Sequence, residues 1–238
     1  MVRFECGKKR IAVISVDDLF RDGYKAIFIG TGVWRPNTLH IKGETFGNVH
    51  FAINYLNNPN VYKLGEKVII IGAGNAAMDV ARTVVRSGSR DVTCFSLTAK
   101  VAASDYEYSY AKLEGVHFKY NCKPVEILDE GVIFRDVIEH EDGTMEEVEG
   151  SDKFYPSDSV IIAISQGPRN VIVSTTTGLE ASKSGLLVAD EFGNTSRLGI
   201  FASGDVVNGA RTVVEAVAHS KIVAETMHKY IQGLEENV

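Results

Sequence analysis

A chain of 238 residues, 45% hydrophobic and 24% charged, suits one large or two small globular domains. No run approaches the roughly eighteen apolar residues needed to span a bilayer. A net charge of −6 argues against a nucleic-acid partner, because phosphate binding needs a basic face.

The start, MVRFECGKKRIAVISV, has basic residues and a short apolar run but lacks the long apolar core and cleavage site of a secretory signal. A cytoplasmic protein is expected. Four apolar runs rich in β-branched residues, each closing on glycine, occupy 24–32, 67–74, 159–167 and 199–205. Such runs read as strands of a parallel sheet buried on both faces. After the second run the spacing predicts a helix over 75–87, a strand over 91–97, a helical stretch from Asp105 and a strand over 115–120. A hairpin then turns at Asp142-Gly143, a pair that favours tight reversal. Thr212-x-x-Glu215 is a capping box and predicts a helix start. Beyond it Val213, Val217, Ala224, Met227 and Ile231 fall at helical spacing and are expected to face the core. The three cysteines, Cys6, Cys94 and Cys122, form no C-x-x-C pair and are expected to be inert; no thiol redox motif and no iron–sulfur or zinc ligand set is visible. The pattern predicts an α/β fold. It reads either as one irregular domain or as a Rossmann-like domain over 62–154, inserted between two segments, 1–58 and 155–238, of an incomplete second domain.

The segment VIIIGAGNAAMDVARTVV (68–85) carries the clearest chemistry. GAGNAA matches G-x-G-x-x-[GA], with Gly72, Gly74 and Ala77 at the small positions. Gly72 permits the sharp strand-to-helix turn, Gly74 lets a pyrophosphate approach the backbone, and Ala77 allows close helix–strand packing. A strand before and a helix after give the motif its required context. At the end of the second strand an acid would favour NAD and an arginine NADP; the chain has Phe95-Ser96-Leu97-Thr98 there, with neither. Ser96, Thr98 and Lys100 are candidates for a ribose or a 2′-phosphate, and the choice between NAD and NADP stays open. Further on, Gly204-Asp205 ends a strand, where a carboxylate can accept hydrogen bonds from sugar hydroxyls and a helix start can offer N–H groups to a flavin carbonyl. Tyr108 and Lys112 form Y-x-x-x-K, the spacing of a short-chain dehydrogenase pair, which also arises easily on a tyrosine-rich helix.

Taken in chain order, FIGTGVWRPNTLHIKGE (28–44), GAGNAAMDVART (72–83), YPSDSVIIAISQGPRN (155–170) and SGDVVNGARTVVEAVAHSKIVAE (203–225) resemble the pyridine nucleotide–flavin oxidoreductases with two dinucleotide-binding domains. Within these they are most similar to the small subunit of NADPH-dependent glutamate synthase. The resemblance implies that NAD(P) is held by Gly72, Gly74, Asn75, Ala76 and Ala77, with Arg82 either a ligand or an exposed charge. It implies FAD contacts at Asp205, at the Thr212 and Val213 backbone, and in the glycine segments Gly30, Thr31, Gly32 and Gly204. It also implies that 1–58 and 155–238 belong to the FAD-binding domain, and that hydride passes from NAD(P)H to FAD and onward through iron–sulfur centres. The family's cysteine-bearing region and first glycine turn are absent, so the expectation is a truncated portion whose flavin-binding half comes from a partner chain or is missing. Two rivals follow. One is a silent NAD(P)-binding scaffold without flavin, and the other a flavin-free dehydrogenase acting through Tyr108 and Lys112.

Overall fold

The computed structural model describes residues 15–169 and 171–235. Cys6, the apolar run before Ser15 and Asn170 lie outside them. The chain divides into two compact units, Pro36–Ser165 and a unit built from Met1–Arg35 with Gln166–Val238.

In the first of these, five parallel strands lie in the order Val49–Phe51, Ser159–Ile162, Lys67–Ile71, Asp91–Phe95, His117–Lys119. The unit is therefore wider than the expected 62–154. The physical reason is pairing: Val160 sits opposite both Val49 and Ile69, so the strands at 49 and 159, expected in the flanks, are integral to this sheet. Helices Ala52–Asn57, Asn75–Arg86 and Asp105–Leu113 join the strands.

Four of the five residues of Lys67–Ile71 are buried, and they serve two cores by strand alternation. Val68 and Ile70 pack with Ala77, Ala81 and Val84 of the following helix. Ile69 and Ile71 point the other way, into a cluster with Phe95, Ile127, Val132 and Phe134. Burying each such aliphatic side chain contributes about 1.5–3 kcal/mol, which is why this run is continuously apolar. The second face is covered by an antiparallel layer: Cys122–Leu128, Gly131–Glu139 and Lys153–Pro156, with Met145–Glu147 paired to the second of these. The expected hairpin forms there; Gly143 takes φ +81° and donates its N–H to the His140 carbonyl at 2.9 Å.

The outer side of that layer carries an ion-pair network. Arg135 donates to Asp152 at 2.6 and 2.9 Å and to Glu147 at 2.9 Å, and Lys123 pairs with the same Glu147. Arg135 holds the Asp152 carboxyl below its ordinary range, and Lys123 followed by Arg135 does so for Glu147. Folded-state pKa values below the unfolded ones mean that this stabilisation is complete above the ordinary carboxylate range and is lost as pH falls through the folded values. The unfolding temperature should therefore drop as the solution is acidified below roughly pH 4. The drop should be small, since the pairs are exposed, and shallower in Arg135→Met. An equally steep drop in the variant would assign the loss to other groups.

The second unit pairs Ile27–Ile29 in parallel with Ile200–Ala202, around a core of Ile29, Leu179, Leu187, Ile200, Ala202 and Val206. Helix Val16–Arg21 opens on a capping box from Ser15 and Asp18. The long helix Val213–Glu235 starts where the sequence predicts, with the Glu215 N–H donating to the Thr212 hydroxyl at 3.3 Å. Its expected core stripe holds only in part: Met227 and Ile231 are half-buried, but the other three positions are not. Val213 is 78% exposed, Val217 is 49% exposed and Ala224 is also exposed. The face turned inward carries Val223, fully buried, and the more polar His219, Ser220 and Tyr230. Tyr230 meets Phe201 edge-on at 5.5 Å, and His219 and Ser220 hydrogen-bond into the Ser203 hydroxyl. Those specific contacts decide the orientation over apolar count.

Candidate functional site

At the carboxyl end of Lys67–Ile71 the glycine turn takes the form its residues demand. Gly72 has φ +127°, and a Cβ there would stand 2.3 Å from the Ala163 carbonyl oxygen on the neighbouring strand's extension. Its N–H donates to the Phe95 carbonyl at 2.9 Å, tying the turn to the next strand. Gly74 differs in kind. Its φ of −87° is ordinary for any residue, and a Cβ there would meet nothing within 4 Å. That open space above the backbone is what a pyrophosphate needs. Gly74 is also the N-cap of Asn75–Arg86, and no side chain caps the helix. The first intrahelical bond runs from the Met78 N–H to the Gly74 carbonyl at 3.1 Å. The N–H groups of Asn75, Ala76 and Ala77 are thus left to the positive end of a twelve-residue helix. Ala77 is completely buried, as the third small position requires. The residues fit a dinucleotide pyrophosphate.

The segment after the second strand is tied back to this turn. Ser96 is buried, its N–H donating to the Lys119 carbonyl at 2.8 Å and its hydroxyl 3.2 Å from the Thr98 hydroxyl. Lys100 is exposed, and its carbonyl accepts from the Thr98 hydroxyl at 2.6 Å. Further along, the Ala103 N–H donates to the Ala73 carbonyl at 3.0 Å, and the Ser104 N–H to Asn75 Oδ1 at 2.9 Å. The sequence reading missed one contact of this loop. The Ala99 N–H donates to Glu139 Oε2 at 3.1 Å, bringing a carboxylate to this loop from a strand forty residues away. The only trace in the sequence is the acidic end of the Gly131–Glu139 run, which reads as a solvated face.

Other candidates have structural employment. Arg82 bonds Glu114 at 3.0 Å and Glu107 at 2.8 Å, joining two helices rather than facing the turn. The Tyr108 hydroxyl lies 2.6 Å from that of Tyr120, whose pKa burial pushes up to about 12. The Lys112 ammonium sits over the Tyr108 ring, 5.3 Å from its centroid, instead of beside the hydroxyl. That is not a dehydrogenase pair. Cys94 is buried, and burial pushes its thiol up to about 12; Cys122 is buried and raised as well. Neither is a thiolate at neutral pH.

In the other unit the parallel pair places Ile29 opposite Ala202, so Gly30-Thr31-Gly32 and Gly204-Asp205 leave the sheet side by side at its carboxyl edge. Open α/β sheets bind ligands at that edge. Gly32 and Gly204 take φ of +68° and +77°. Asp205 Oδ1 accepts the Arg211 N–H at 3.3 Å. The Ser203 hydroxyl contacts His219 Nδ1 at 3.0 Å, and His219 Nε2 lies 3.2 Å from the Glu191 carbonyl, which steadies the strand end. The Thr212 N–H is already committed to Glu215 Oε2 at 3.1 Å, leaving Val213 as the first backbone donor of the long helix without an intrahelical acceptor.

Among the described residues no helix is long and apolar enough to cross a membrane. The chain is 29% identical over 250 residues to the glutamate synthase [NADPH] small chain of Escherichia coli strain K12, covering 92% of this chain and 53% of that protein. It is 31% identical to the same-named chain of Halomonas elongata, over 87% of this chain and 50% of the other. It spans about half the length of these relatives. FprA from Mycobacterium tuberculosis superposes with a TM-score of 0.78 over 94% of this chain and 67% of its own, at 15% identity, which shows a shared fold. Residues 1–220 match the model of the pyridine nucleotide-disulphide oxidoreductases, and the chain belongs to that family.

Proposed function

We propose that this chain is the nucleotide-binding portion of an NAD(P)H-dependent flavin oxidoreductase of the glutamate synthase small-chain type. The observation that carries the reading is the turn at Gly74, where open space meets the uncapped N-terminus of Asn75–Arg86. The backbone N–H groups of Asn75, Ala76 and Ala77 hold the pyrophosphate of NAD(P)H, and Ser96 and Lys100 border the adenosine ribose. FAD, when bound, supplies the hydride acceptor. Toward it, Asp205 accepts hydrogen bonds from polyol hydroxyls, the Val213 N–H faces the ring system, and Gly30, Thr31, Gly32 and Gly204 admit the ligand close to the backbone. No side-chain acid or base is needed, since the protein's task is orientation and electrostatics. The relatives' names, with NADPH in them, favour the same reading. A partner chain that completes the flavin site or accepts the electrons belongs to the proposal, as does a cytoplasmic location.

The test is a visible absorption spectrum of the purified chain after incubation with FAD and gel filtration. Retained flavin bands that bleach on addition of NADH or NADPH are the expected result. A colourless protein that nonetheless binds the nucleotide would replace this reading with a flavin-free binding module.

A further inference from the structure

The structure assigns a second binding site, for an aliphatic amine carrying two or more ammonium groups, to an acidic cavity at the amino end of Lys67–Ile71. The glycine turn leaves the other end of that strand, about 16 Å away at the usual rise per residue. The cavity measures about 620 Å³, within the range of sites for small organic ligands. Glu66, Asp129, Glu130 and Asp158 line it, with Lys67 as the one cation.

These carboxylates come from three stretches of chain that backbone bonds tie together. Asp158 Oδ2 accepts the Glu66 and Lys67 N–H groups, both at 2.8 Å, and the Asp158 N–H donates to the Lys67 carbonyl at 2.8 Å. The Ser157 N–H donates to the Glu130 carbonyl at 2.9 Å. The Asn48 amide spans two of the stretches, donating to the Asp129 carbonyl at 3.0 Å and to the Asp158 carbonyl at 3.3 Å. The rim is thus fixed while its charges stay unpaired. Among the described residues, the side chains of Glu66, Lys67, Asp129 and Glu130 make no hydrogen bond or ion pair.

Acidic residues alone would read as a solvated face. Ser157 argues otherwise. It lines the same cavity, is 5% exposed, and its buried hydroxyl has no hydrogen-bond partner. Buried polar atoms are seldom left so, and an ammonium N–H seated in the cavity supplies the partner. The form of the ligand follows from the spacing of the acids. Among the described residues, no three carboxylate, imidazole or thiol groups lie close enough to grip one metal ion. Charges spread around a cavity of this size match a ligand whose own charges are held apart by methylene groups. The Pro156 ring, also in the lining, offers those methylenes an apolar contact.

The experiment is calorimetric titration of the purified chain with spermidine, with magnesium chloride at the same ionic strength as the comparison cation. It is repeated on the double variant Asp129→Asn with Glu130→Gln, on Lys67→Met and on Ser157→Ala. Saturable binding of spermidine, at least about tenfold tighter than that of magnesium, is the expected result. The double variant should bind spermidine about fivefold more weakly, and Lys67→Met more tightly than the parent. Ser157→Ala separates a built site from a charged surface. Removing a buried hydroxyl that has no partner should leave the urea midpoint unchanged or raise it. The same change should weaken spermidine binding by about threefold or more. Any one of three results would overturn the assignment: no saturable heat with spermidine, magnesium binding as tightly, or the parent's spermidine affinity in Ser157→Ala.

Discussion

Gly74→Ala is expected to fold as the parent does and to bind NAD(P)H at least about tenfold more weakly, while Gly72→Ala is expected to lose stability before binding can be measured. The two glycines stand two residues apart and are both part of one motif, yet they do different work. At Gly74 the backbone is in an ordinary extended conformation and a methyl group would meet no protein atom. The folded protein tolerates that methyl; a pyrophosphate lying against the same backbone does not. At Gly72 an added Cβ must accept φ +127° and a 2.3 Å approach to the Ala163 carbonyl oxygen. Left-handed strain alone costs about 1–3 kcal/mol. The clash adds to it, because the Ala163 backbone is itself held by its N–H bond to the Ile71 carbonyl at 2.8 Å. Urea denaturation beside nucleotide titration separates the two effects. Gly74→Ala binding like the parent would remove the phosphate from this turn.

Phe134→Ala is expected to destabilise the Pro36–Ser165 unit by about 3–5 kcal/mol, a large share of the 5–15 kcal/mol that typically holds a domain together. Phe134 is 1% exposed and stacks on Phe95 with ring centroids 3.9 Å apart and planes 10° from parallel. Tyr155 meets it edge-on at 5.8 Å. These rings join the antiparallel layer to the parallel sheet, so their loss leaves a void at the seam instead of at the surface. Phe134→Leu, which keeps most of the volume, should cost less than half as much. Chemical denaturation of both variants checks the ordering. A cost below about 1 kcal/mol for the alanine variant would mean that the seam collapses around the gap.

Much of the central unit was legible because its signals are local. The strand, turn and helix at 67–86 are specified by apolar continuity, two glycines with separate steric duties, and an alanine that must be buried. The Asp142-Gly143 hairpin and the Thr212 capping box are equally self-contained. What escaped was set by distant contacts. The unit's borders depend on which strands pair, and nothing near Val49 or Ser159 announces that Ser159–Ile162 lies between Val49–Phe51 and Lys67–Ile71. The inward face of Val213–Glu235 is chosen by Ser203, Phe201 and Gly193 rather than by the helix's own valines; a Cβ on Gly193 would lie 2.3 Å from Val223. The contact of Glu139 with the loop after Asp91–Phe95 was invisible because its partner, a backbone N–H at Ala99, has no signature in sequence.

The division of labour along Lys67–Ile71 bears on how this chain can change over generations. With Val68 and Ile70 given to one core and Ile69 and Ile71 to the other, no position from 68 to 71 is at liberty to drift, since a polar replacement at any of them opens a hole in one layer or its opposite. Neutral variation is pushed off the strand and into the loops beyond its tip. The strand stays fixed as a platform, while the loops beyond its tip can be revised without disturbing either core.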